Sequence, residues 1–143
     1  MKRLVTLLLA IAPLTQTWAA PDRVLYDLGE KCGKQASAAF ARDFGTGMDA
    51  KDGMSITNYR NHYNPRLNAC LYLIFSTRSM REKSGKPSPA LHSSSLFDLN
   101  EDHEIATFWS QDGNARVFEC TVNDKKCASR EEFDAAVNAL MAE

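Results

Sequence analysis

The chain has 143 residues, with 17 Lys and Arg balancing 18 Asp and Glu for a net charge of −1; a length and balance of this kind describe one mixed-charge domain. Nucleic-acid binding is excluded as a class, because it calls for a basic stripe and a high pI. A membrane span is excluded too, since the apolar run Leu4–Leu14 falls short of the roughly 20 residues that a hydrocarbon core demands.

Residues 1–19 read as a signal peptide. Lys2 and Arg3 form a positive start, Leu4–Leu14 an apolar middle, and Thr17 and Ala19 the small residues before a cleavage point. Cleavage removes two positive charges and leaves residues 20–143 as a single exported domain of about −3. The first cysteine is Cys32, so no lipid anchor is expected after cleavage, and the expected location is periplasmic or secreted.

Asp22–Phe44 has helical spacing: Val24, Leu28, Cys32, Ala36, Phe40 and Phe44 recur every four residues, with Gly45 and Gly47 as the stop. Gly29 and Gly33 weaken it, each by about 1 kcal/mol against Ala, and mark either a close approach to a sheet or a break. Met48–Gly53 is a polar connection. Ser55–Tyr63 alternates as a half-solvated strand, Asn64-Pro65 turns the chain, and Leu67–Phe75 is apolar on both faces, which places it mid-sheet.

Ser79–Ser95, with two prolines and three consecutive serines, reads as a long irregular loop. Leu96–Leu99 is a short strand. Ile105–Gln111 and Ala115–Val122 flank Asp112-Gly113-Asn114, a hairpin signal, and Asn123–Lys126 is a second tight turn. Ser129 and Glu132 stand in capping-box spacing before a helix whose apolar face is Phe133, Val137, Leu140 and Met141. The order α-β-β-β-β-β-α predicts an α+β domain, with a largely antiparallel sheet of about five strands and both helices on one face.

An even number of cysteines in an exported chain predicts two disulfides. Cys32, Cys70, Cys120 and Cys127 allow three connectivities. The preferred one is Cys32–Cys70, because Cys32 lies on the apolar stripe of its helix, with Cys120–Cys127 as a local loop.

Recognisable catalytic patterns are missing from the sequence. Asp98, Asn100 and Asp102 begin like a calcium loop, but His103 stands where Gly is needed and Trp109 where Glu is needed. His62, His92 and His103 form no nucleophile signature with a cysteine, zinc-ligand spacing does not occur, and Ser93–Ser95 lack the glycines of a nucleophile elbow. No metal and no cofactor are expected. The most suggestive polar group is Tyr59, Arg60, His62, Tyr63, Asn64 and Asn68, which would either fix the turn or form a recognition patch on a rigid hairpin.

The run His62-Tyr63-Asn64, then Leu67-Asn68 and Cys70 before an apolar strand, with a cysteine pair before the last helix, resembles a group of small exported bacterial proteins for which no activity is known. That resemblance implies export, disulfides and a single α+β domain, and it transfers no catalytic residue. The expected role is a non-catalytic domain that binds an envelope protein or a small ligand. A small hydrolase, with an acid pair hidden by distance in sequence, is the alternative.

Overall fold

Asp22 opens the first helix, α1 (Arg23–Phe44), in the computed structural model, which describes residues 22–50, 53–79, 86, 88–112 and 115–142. The expected leader lies outside these residues, as do Gly113-Asn114 of the hairpin turn and part of the Ser79–Ser95 stretch. The Asp22 carboxylate accepts the Val24 N–H at 3.0 Å, satisfying one of the donors that a helix start leaves open. At the other end Gly45 takes φ +58° and donates its N–H to Ala41. The helix runs unbroken through both internal glycines. A Cβ on Gly29 would meet nothing, and one on Gly33 would make only ordinary contact with Asn61, so neither glycine marks a tight approach. The apolar stripe is buried at Cys32, Ala36 and Ala39; its first turn projects into solvent, with Val24 63% exposed.

Seven strands follow among the described residues, rather than about five: β1 (Met48–Asp49), β2 (Met54–Asn64), β3 (Ala69–Ser79), β4 (Leu91–Asp98), β5 (His103–Gln111), β6 (Arg116–Val122) and β7 (Lys125–Lys126). Each pairs antiparallel with its neighbours in sequence, so the sheet is one meander in the order β1 to β7. The last helix, α2 (Arg130–Ala142), begins as its sequence predicts. The Ser129 hydroxyl accepts the Glu132 N–H, and the Glu132 carboxylate reaches back to the Ala128 N–H at 2.8 Å.

The helices do not share a face, as the sequence order suggested. Alternation along β3 sends Leu71 and Leu73 to one side, where Leu96, Ala106, Phe108 and Cys120 meet Phe133, Val137 and Met141 of α2. It sends Tyr72 and Ile74 to the other, where Tyr59 and Phe97 meet Ala36, Ala39 and Phe40 of α1. The two apolar faces of β3 are therefore explained by a helix on each side of the sheet. Tilted ring pairs line the α1 side, with Phe40 at 4.7 Å from Tyr59 and Tyr59 at 5.5 Å from Tyr72.

Both expected disulfides are present: Cys32–Cys70 ties α1 to β3, and Cys120–Cys127 ties β6 to the approach to α2. The three serines expected in an irregular loop instead lie within β4. Ser94 is 2% exposed on the α2 side, where its hydroxyl accepts from the Arg130 guanidinium. Arg130 also bonds Asp134 and lies over the Phe108 ring, which binds the start of α2 to the sheet.

Candidate functional site

The hairpin residues singled out in the sequence fall on two sides of the sheet. Tyr59 and Tyr63 share the α1 side with Cys70 and Ile74, while Arg60, His62 and Asn64 share the α2 side with Leu73, Leu71 and Ala69. Asn68 sits in the turn at φ +52°, where its side-chain oxygen accepts the Tyr63 hydroxyl at 2.6 Å. Tyr59 is half-buried beneath α1. Asn64 is fully buried: its side-chain oxygen accepts the N–H groups of Arg66 and Leu67, and its amide donates to the Leu140 carbonyl at 2.9 Å. Of the six, Arg60 and Asn68 are exposed, and they do not adjoin on one face. The Asp98 carboxylate likewise serves the backbone, accepting the N–H groups of Cys70 and Asn100.

A concave surface forms elsewhere, on the α1 side beyond the end of α1. Register builds it. Thr57 of β2 pairs with Ser76 of β3, Ser76 with Ser93 of β4, and Ser93 with Trp109 of β5, so four strands set one row of side chains across the sheet. Three of the four are small hydroxyls, which leave a hollow, and the fourth is an indole standing at its end. The next row supplies Ser55, Arg78 and Leu91. Phe44, Met48 and Asp49, from the end of α1 and from β1, make the opposite wall. The groove encloses about 620 Å³, within the range of small-ligand sites.

The opposite wall is fixed by a turn with little tolerance. Gly47 adopts φ +77°, and a Cβ there would press on the Thr57 carbonyl oxygen and lie 2.9 Å from the Phe40 ring. The Gly47 carbonyl accepts the Thr57 N–H at 2.7 Å, which pins the turn to the groove floor. Ser76 and Ser93 share a hydrogen bond of 3.0 Å, so their oxygens face one another along the floor. Trp109 is 51% exposed, a large apolar surface left open to solvent.

Asp43 lines the same groove and is forked by Arg42, at 2.7 and 2.9 Å. Hydrogen bonding to that guanidinium holds the Asp43 carboxyl below its ordinary range. Beside the groove Tyr72 lies under α1, where burial, and then the charge of Asp43, push its phenol up to about 12. Its hydroxyl has no hydrogen-bond partner among the described residues.

The alternation of β5 carried a signal for this site. Trp109 shares its side with Thr107 and Gln111, whereas Phe108 shares the other with Ala106 and Ser110; an aromatic residue on the polar side of a strand is exposed. The remaining groove residues come from α1, β1, β2, β3 and β4, and only the pairing of strands assembles them.

The geometry defines a class by shape: a sheet meander clasped between two helices, with a ligand-sized groove where α1 leaves one side uncovered. Comparison with protein-family models, curated proteins and solved structures gives no match to the chain.

Proposed function

We propose that the chain is an exported, non-catalytic binding domain whose ligand lies in the groove between Trp109 and the end of α1. The observation that carries this reading is the row Thr57–Ser76–Ser93–Trp109, which ends a hydroxyl floor at a half-exposed indole. A large apolar side chain open to solvent at the end of a ligand-sized hollow with polar groups on its floor is the default place for a bound ligand. Export is supported by the two disulfides and by the tripartite N-terminal sequence. Among the described residues, no helix is long and apolar enough to cross a membrane. The resemblance to small exported bacterial proteins points the same way.

The hydrolase alternative calls for a carboxylic acid that stays protonated near neutral pH. Asp43, held in its charged form by Arg42, does not fill that role; with Asp49 in the same lining it fits only the ionised partner of such a pair.

Two measurements test the proposal. A reporter phosphatase that is active only outside the cytoplasm, fused behind residues 1–25, should be active; a cytoplasmic fusion product defeats export. A thermal-shift screen of the purified domain should yield ligands whose shift disappears in Ser93→Phe, which fills the groove floor. Shifts that persist in Ser93→Phe place binding elsewhere and overturn the groove reading.

A further inference from the structure

We infer that the groove is a saccharide site, in which a neutral sugar ring stacks its C–H face on Trp109 and turns its hydroxyls to the floor. The inference rests on the binding reading above and names its ligand class. A sugar ring has two kinds of surface, an apolar face of C–H groups and an equator of hydroxyls, and the groove offers a counterpart to each. The indole supplies a flat apolar platform, 51% exposed and held in register by its pairing with Ser93. Thr57, Ser76 and Ser93 supply side-chain hydroxyls; the bond between Ser76 and Ser93 uses one of their protons and leaves the other, with the remaining lone pairs and the Thr57 hydroxyl, to donate to and accept from a ligand's hydroxyls.

Other ligand classes fit less well. A hydrocarbon chain would cover the Thr57 hydroxyl and the polar part of Arg78 without replacing their water, which disfavours it even though Ser76 and Ser93 bond one another. A polyanion such as a phosphorylated ligand would meet, among the described residues of the lining, the carboxylate of Asp43, already paired with Arg42, and that of Asp49 beside the guanidinium of Arg78, a mixed set rather than a cationic cradle. A strand-like peptide adds to a sheet edge through main-chain bonds, but the groove floor is a sheet face, whose backbone groups are already paired between β2, β3, β4 and β5.

The chain carries a reporter for its own site, because its tryptophans are Trp18 and Trp109. Protein bearing Trp18→Phe and purified from the exported fraction therefore has Trp109 as its one tryptophan, whether or not the leader is removed. Its fluorescence would be titrated with cellotriose, maltotriose and chitotriose, and separately with a short-chain lysophospholipid below its micelle concentration and with inorganic phosphate. The expected result is a saturable change with at least one trisaccharide, with Kd on the order of millimolar or tighter. Calorimetry should then show affinity falling about tenfold or more in Trp109→Ala and remaining in Phe118→Ala, which removes an exposed aromatic outside the groove.

A saturable response to the lysophospholipid or to phosphate, abolished by Ser93→Phe, with none to the sugars, overturns the saccharide assignment and leaves the groove reading standing. Silence towards every probe, together with thermal-shift ligands that ignore Ser93→Phe, overturns both. Trp109 is on the surface, so its variants should fold; unchanged melting temperatures verify that a lost response is a lost contact.

Discussion

Asn64 shows what a single buried amide does in this protein. It closes the turn between β2 and β3 through its oxygen and holds the end of α2 through its nitrogen, with no exposure to water. Replacing it by Ala leaves the Leu140 carbonyl and two turn N–H groups without their partner, which should cost about 2–4 kcal/mol in urea unfolding. The proposed saccharide response of Trp109 should be unchanged in the folded variant, because the groove lies at the opposite end of β2. Tyr72 presents the converse case, a buried hydroxyl with nothing to bond among the described residues. Its phenol titrates near 10 in the unfolded chain and at about 12 in the fold. The folded state then holds the proton more tightly between those values, so stability is complete below pH 10 and falls as pH rises toward 12. Tyr72→Phe should be neutral or stabilising at pH 7, and its alkaline unfolding curve should be shallower than that of the parent. Asn64 as a turn-fixing residue could be read from the Asn-Pro pair. Its bond to Leu140, 76 positions away, could not.

At the scale of elements, punctuation was the most legible feature. Gly45, Ser129 and Glu132 mark helix ends in the sequence and perform those roles in the fold, while Asp22, read as the first helical residue, proves to be the cap just before it. The second half of β4 falls in the expected strand Leu96–Leu99, but its first half, Leu91-His-Ser-Ser-Ser95, was hidden because it is short of the β-branched and aromatic residues that announce strands. Pairing with β3 and β5 on both sides overrides that local weakness. Strands β1 and β7 hold two residues each, too few for any periodicity to register. β1 nonetheless forms a groove wall, and Gly47 decides its position. Gly47→Ala combines a positive φ with pressure on the Thr57 carbonyl, and should cost about 1–3 kcal/mol. Because the turn must shift to relieve that contact, ligand affinity should fall with stability, whereas Asn64→Ala should lower stability alone. Denaturant titration beside calorimetry separates the two outcomes.

Across the whole molecule, the class of fold was legible and the sides of the sheet were not. An α-β-α order with five or more strands gives no sign of which face each helix takes. That choice depends on the double-sided apolar pattern of β3, which is satisfied by α1 over Tyr72 and α2 over Leu71. The groove was illegible for the same reason, since its floor exists only once four strands stand in register. The disulfides follow from composition, and their energetic ranking follows from the loops they close. Cys32–Cys70 spans 38 residues and Cys120–Cys127 spans 7, worth about 4 and about 2.5 kcal/mol by chain entropy. Replacing the first pair by serines should therefore lower the midpoint of unfolding more than replacing the second; the reverse order would mean that strain or residual structure outweighs loop length.

The meander also dictates a schedule. Every strand pairs with the strand just before it, so each hairpin can form as soon as its second arm is available, the eleven positions between β3 and β4 being the longest connection to close. On the proposed export route, a chain emerging N-terminus first from a translocation channel would find α1, β2 and β3 together early, and Cys32 would meet Cys70 while the rest is still threading. The α2 side waits for the final residues, because Leu140 must return to Asn64 and Phe133 to Phe108. Until that return, Leu71, Leu73, Leu96 and Phe108 stand bare on one side of a sheet already oxidised on the other. The interval before α2 docks is thus the period in which the nascent protein is most in need of protection from aggregation.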